Sequence, residues 1–148
     1  MLDSPVHLYL RRPGAEQADI MDYPAYIESY NTANAERATA LRFFNEDVIL
    51  EDGKNKTKGR EEVIKLLEAA HDGISEALHI RSWAQTGNTI LAELDGHFVS
   101  REDAPGHFFY PFKKGEKVRF RFMAAYTLAG ERFSHMRITY WPSPVSDE

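Results

Sequence analysis

The chain has no cysteine, so it can build neither a disulfide framework nor a thiolate metal site, and this fits a reducing compartment such as the cytoplasm. Long apolar runs are missing too: nothing approaches the roughly 18 residues that a membrane helix needs. The first residues carry Asp3 and Pro5 where a secretory leader would place its apolar segment, so no signal is read there. Positive charge is not in excess either. A formal net charge of −5 creates no field that would attract a phosphate backbone, which excludes nucleic acid and membrane surfaces as expected partners. The six histidines include no pair at i, i+3 or i, i+4 spacing, so no dedicated metal site is expected. Internal repeats and low-complexity segments are absent.

What remains is 148 residues, 43% hydrophobic and 12% aromatic, enough for one well-buried core and too few for two. Residues 1–20 read as an arm: a strand-like run, Val6-His7-Leu8-Tyr9-Leu10, ends at a Pro13-Gly14 turn. The domain proper is expected over residues 21–142, with a polar, fraying tail at 143–148. Asp22 is placed to cap a first helix with Pro24 in its first turn, and Tyr23, Tyr26, Ile27, Tyr30 and Ala33 recur at helical spacing as one stripe. Asn34 is the expected cap of a second helix with Ala38, Leu41 and Phe44 inward, followed by the β-favouring run Val48-Ile49-Leu50, which stops at Asp52-Gly53. Gly59 precedes a third helix whose inner face is Val63, Leu66, Leu67 and Ala70, with Gly73 as its stop. Strands are then predicted over residues 77–85, 89–100, 117–128 and 131–141, paired through Thr86-Gly87-Asn88 and Ala129-Gly130.

Helices first and an antiparallel sheet afterwards is an α+β arrangement with the helices on one sheet face. Strict alternation about Ala129-Gly130 sets Tyr126 opposite Phe133 and Met123 opposite Met136. It puts Arg121, Met123, Met136, Ile138 and Tyr140 on one face and Phe120, Phe122, Tyr126 and Phe133 on the other. Neither face reads as a solvent face, so a homodimer through the sheet is expected.

The stripe around Tyr26 and Tyr30, the segment VILEDG, the helix start GREEVI at Gly59 and the strand FSHMRITYW together resemble the nuclear transport factor 2-like superfamily. Within it the chain is similar to SnoaL-like polyketide cyclases and ketosteroid isomerases, over roughly residues 22–141. The resemblance implies a cystatin-like cone, a curved antiparallel sheet wrapped around three N-terminal helices and enclosing an apolar pocket. It also implies that Asp52 matches the general base and Tyr26 the oxyanion-binding tyrosine of the isomerase-like members. The acidic partner of that tyrosine has no counterpart here: its place falls at Met123, Ala124 or Ala125.

Asp52 shares its strand parity with Val48 and Leu50, so it heads for the pocket if they do; otherwise it serves the turn at Gly53. Tyr26 is either the oxyanion donor or a core aromatic. Tyr30, Leu66, Arg121, Met123, Met136, Ile138 and Tyr140 are the expected lining of a ligand site, Arg121 being suited to an anionic group. Glu93, Asp95 and His97 alternate with a second set. A three-residue loop at 86–88 puts them outside with His79 and Arg81, leaving Leu78, Ile80, Ala92 and Leu94 inside, and a slip of one residue reverses this. Four aromatics within His107-Phe108-Phe109-Tyr110-Pro111-Phe112 must seal the pocket, cover a dimer seam or fill a gap beside the sheet.

The function this supports is a cofactor-independent isomerase, cyclase or dehydratase acting by proton transfer on a hydrophobic oxygenated molecule. A non-catalytic ligand-binding or protein-interaction domain is the alternative. Epoxide hydrolysis requires Asp95 and Arg121 both to face inward.

Overall fold

The computed structural model describes residues 20–145; the expected arm, apart from Ile20, and the last three residues of the tail lie outside them. Helix α1 (Tyr23–Tyr30) starts where the sequence places it: the Asp22 carboxylate accepts from the Ala25 N–H at 3.1 Å, and Pro24 stands in the first turn, where its missing N–H costs nothing. There follow α2 (Glu36–Phe43), β1 (Phe44–Glu51), β2 (Lys56–Lys58) and α3 (Arg60–Ala70), then β3 (Ile74–Thr86), β4 (Thr89–Ser100), β5 (Lys117–Ala129) and β6 (Arg132–Tyr140).

The strands form one curved, unclosed sheet in the order β2-β1-β6-β5-β4-β3. It is mixed where a wholly antiparallel sheet was expected, because β1 joins β6 in parallel. Parallel neighbours need a long connection, and here everything from β2 to β5 supplies it. The helices cover the inner face. Tyr26 lies edge-on to Phe133 at 4.8 Å, and the Tyr23 hydroxyl meets that of Tyr126 at 2.7 Å beneath the helix.

Helix α2 departs from expectation. Asn34 adopts a left-handed backbone (φ 58°), so it turns the chain and cannot cap; Ala35 is the N-cap. Thr39, Ala40 and Phe43 face inward, Leu41 is exposed, and Phe44 already belongs to β1. A shift of one residue turns a helical stripe by about 100°. In α3, Ile64 joins Val63 in the core while Leu66, Leu67 and Ala70 are half-buried; Ala33 lies exposed beyond α1.

Two β-bulges set the sheet faces. The β3–β4 turn has two residues, since Thr86 pairs with Thr89, and the odd residue is Arg81, between Ile80↔Leu94 and Ser82↔Glu93. The outer-face arrangement of Glu93, Asp95 and His97 therefore holds, through a bulge in place of a longer loop. In the last hairpin Ala129 pairs with Arg132, and Ser134 is the extra residue between Leu128↔Phe133 and Thr127↔His135. Tyr126 consequently faces Met136, and Met123 faces Thr139, in place of the predicted partners. Phe133, Met136, Ile138 and Tyr140 all join the Phe120, Phe122 and Tyr126 face, while Arg121 and Met123 lie on the opposite one. The tail stays with the sheet as far as Val145, whose N–H donates to the Arg119 carbonyl at 2.7 Å.

Candidate functional site

Where α3 ends, the chain reverses at Gly73 (φ +76°) into β3, and the inner sheet face opens into a cavity of about 140 Å³. That is close to the roughly 150 Å³ of an engineered apolar cavity that takes up benzene. Leu50 of β1, Leu66 and Leu67 of α3, Phe122 of β5 and Ile138 and Tyr140 of β6 give it apolar walls. The aromatic loop supplies part of the mouth. His107 donates from Nε2 to the Ala70 carbonyl (3.1 Å) and accepts the Phe109 N–H at Nδ1 (3.1 Å), which pins the loop to the end of α3. Phe109 then packs on Phe98, Phe120 and Tyr140 at 4.7–5.1 Å, Phe112 is fully buried, and Phe108 stacks on His107 at the rim, half exposed. The loop therefore both fills the gap beside the sheet and lines the cavity.

One wall is polar. Glu76 occupies an inner-face position of β3 between Ile74 and Leu78, with its side chain only 10% exposed. Its Oε1 accepts the Tyr30 hydroxyl at 2.8 Å and pairs with His71 Nε2 at 2.7 Å, and the Tyr30 oxygen is 3.4 Å from the same ring nitrogen. Across the imidazole, Nδ1 lies 3.8 Å from Oε1 of Glu36, in the first turn of α2. Burial disfavours the imidazolium, but the carboxylates of Glu76 and Glu36 outweigh it and raise the His71 pKa above its ordinary value. Burial, reinforced by the Glu76 charge, pushes the Tyr30 hydroxyl well above the usual tyrosine range, so it remains a neutral donor. Burial, followed by the charge of Asp52, also raises the Tyr140 pKa. No group of three or more histidine or acidic side chains suited to a metal ion occurs among the described residues.

The structure distributes the sequence-predicted residues as follows. Tyr30, Leu66, Ile138 and Tyr140 line the cavity. Asp52 reaches its rim, but Oδ1 accepts the N–H groups of Lys54 (3.2 Å) and Asn55 (2.9 Å), so one carboxylate oxygen is engaged by the turn. Tyr26 is packed among Phe43, Phe44, Tyr126 and Phe133 and is not part of the cavity wall; Met136 is likewise core. Arg121 and Met123 are corrected: the Ser134 bulge leaves them on the outer face. Arg121 Nε there donates to Asp95 Oδ1 at 2.8 Å, and Arg81 and Arg119 close on the same carboxylate. An Asp95–Arg121 pair therefore exists on the wrong side of the sheet for epoxide opening in this cavity.

His71 and Glu76 were missed. The apolar pattern Ile74, Leu78, Ile80 would have marked Glu76 as an inward carboxylate had the strand been started at Ile74. His71, five residues earlier across a turn, carries no periodic signal.

The family profile of the SnoaL-like domain matches residues 24–136. Among solved structures, the chain is similar to a candidate polyketide cyclase from Xanthomonas campestris pv. campestris, with 20% identity, TM-score 0.69, and coverage of 80% of this chain and 87% of that one. It is similar to a candidate SnoaL-like polyketide cyclase from Jannaschia sp. CCS1 (15%, TM-score 0.67, 86% and 91%). It is also similar to an LEH-like epoxide hydrolase from M. tuberculosis (15%, TM-score 0.60, 79% and 80%). At these identities the likeness speaks for the fold alone. No curated protein matches the sequence.

Proposed function

This chain belongs to the SnoaL-like domain family, and from that premise we propose that it binds a hydrophobic, oxygenated small molecule in the cavity and acts on it by proton transfer without a cofactor, as a cyclase, isomerase or dehydratase does. One observation carries the reading: in a largely apolar cavity about the size of one aromatic ring, a phenol, an imidazole and a carboxyl group on one wall lie within 3.4 Å of one another, apart from the polar groups Asp52, Lys54 and Asn55 that also line it. Unlike groups converging on an apolar pocket are what acid–base chemistry requires.

The competing reading is a binding domain without turnover, and the commitment of Asp52 to its own turn favours it. A panel of one-ring phenols, aryl ketones and β-hydroxy ketones, followed by thermal shift and by product analysis, separates the two. The proposal expects saturable stabilisation by several members and conversion of at least one. Binding with no conversion across the panel supports the second reading. Ile138→Trp, which fills the chamber, abolishes binding under both. A panel that binds equally well to Ile138→Trp removes the cavity from the account. The outer sheet face is proposed as the contact between two copies of the chain.

A further inference from the structure

The position of the acid–base machinery within the cavity can be taken further, on the reading that the cavity is a reaction chamber. The family resemblance pointed to Asp52, yet its Oδ1 already accepts two backbone N–H groups and it stands at the rim. Glu76 is placed differently. It projects from the inner face of β3, its carboxylate is nearly enclosed, and the partners of its Oε1 are side-chain donors that themselves line the chamber. A substrate in the cavity would meet a carboxyl group, an imidazole and a phenol at one spot.

We propose that Glu76 is the proton-accepting base of this cavity, His71 its proton donor and Tyr30 the hydroxyl that receives developing oxyanion charge, with Glu36 as the positioning residue that holds the imidazole from its far side. The division of labour follows from geometry: Tyr30 and His71 both hold Oε1 of Glu76, so Oε2 takes the substrate proton, and Tyr30 and His71 each turn a hydrogen from Oε1 to the substrate oxygen as it does so. Glu36 does not line the cavity itself and reaches it through His71 Nδ1, 3.8 Å away. The substrate class is then a compact ring compound with an acidic C–H beside an oxygen function, the C–H facing Glu76 and the oxygen facing Tyr30.

A probe that needs no knowledge of the natural substrate is 5-nitrobenzisoxazole, a small aromatic that reports any positioned base in an apolar site. The base takes the proton on the carbon next to nitrogen. That C–H electron pair forms the nitrile as the N–O bond breaks, and the oxygen leaves as a coloured cyanophenolate. Nothing is oxidised, and the proton on the carboxyl passes to water. With purified full-length protein, the expected result is turnover faster than that given by an equal concentration of acetate. Glu76→Gln lowers it by about 100-fold, within the span typical of a general base, and Glu62→Gln, at an exposed position of α3 outside the cavity lining, changes it by less than about threefold. If Glu76→Gln fails to fold, Glu76→Asp withdraws the carboxylate by one methylene and should lose at least about tenfold while still binding the probe. Turnover that survives both Glu76 variants and collapses in Asp52→Asn overturns the assignment. So does a native protein that binds the probe and does not convert it. Absence of saturable probe binding, read by thermal shift, instead counts against the cavity as a ligand site. For Glu36 the readout is the His71 Cε1–H resonance across pH. Glu36→Gln moves its titration to lower pH with Tyr30 and Glu76 unchanged around the ring, and an unmoved titration removes Glu36 from the scheme.

Discussion

At the scale of single residues, two charged groups tie the pH behaviour of the protein to its geometry. His71 faces Tyr30 from α1, Glu36 from α2 and Glu76 from β3, and its folded pKa is raised above the unfolded value of about 6.5. A group raised on folding contributes stability that is fully present below the unfolded pKa and is lost as pH rises through the folded one. Urea denaturation from pH 5.5 to pH 9 should therefore show stability falling through the upper part of that range, and His71→Gln should flatten the fall. Equal slopes for the two proteins would contradict the buried pairing. Asp95 runs the other way. Burial alone would raise its pKa, but hydrogen bonds from Arg121 and Arg81 outweigh burial and lower it, so its contribution is present above about pH 3.9 and is lost as pH falls through the lower folded value. Asp95→Ala removes the carboxylate that Arg81, Arg119 and Arg121 share, with the Glu93 carboxylate still 3.6 Å from Arg81 and 4.0 Å from Arg121, and because those arginines are partly solvated the expected loss is about 2 kcal/mol, measured in urea at neutral pH.

At the scale of elements, the strands decide what the cavity contains, and Gly96 shows how tightly. A Cβ on this β4 residue would sit 2.4 Å from Cε2 of Phe122 and 3.1 Å from Cε1 of Phe98, both rings of the cavity wall. Gly96→Ala must displace the Phe122 ring, at a cost of about 1–3 kcal/mol, and should weaken binding of any one-ring ligand more than it lowers stability elsewhere predicts. Unchanged melting temperature and affinity would mean the ring has room that the structure does not show. The same strands explain what could be read from the sequence. Asp22 with Pro24 is a local signal and α1 starts where it marks; Gly87-Asn88 is local too, though the turn closes on two residues with Thr86 already in β3, and the shared parity of Val48 and Leu50 is seen in β1, which begins earlier, at Phe44. A bulge is not local. Whether Arg81 or Ser134 is the residue that drops out of alternation is decided by pairing across the sheet, and at Ser134 this choice moved Met136, Ile138 and Tyr140 inside and left Arg121 and Met123 outside. Glu76 is hidden for a simpler reason: β3 begins at Ile74, three residues before the run that favours a strand, so the sequence pattern leaves this inner-face carboxyl group outside the predicted strand.

At the scale of the whole molecule, the unresolved demand is the outer face of the sheet. Leu91 on β4, Met123 on β5 and Trp141 after β6 are 52%, 41% and 45% exposed there, with Leu91 flanked by Ala84 on β3 and Ala125 on β5, while the Asp95–arginine cluster lies alongside. Large apolar side chains gathered on an open sheet face are unusual for a monomer, and a second copy would bury them against the same set by a two-fold axis, as isologous contacts do. A stable contact of that kind buries about 800 Å² on each partner. Light scattering coupled to gel filtration at tens of micromolar should then give twice the mass of one chain. The double substitution Leu91→Glu and Met123→Glu should give the single mass with an intact far-UV spectrum, since neither side chain reaches the helix-covered core. Because the cavity opens on the other face of the sheet, the monomeric variant should keep ligand binding within about threefold, the small change expected when two sites share no partners. A native protein that elutes at the single mass, or a double variant that stays dimeric, would show that these side chains are tolerated in water and that the sheet face has no second copy to meet.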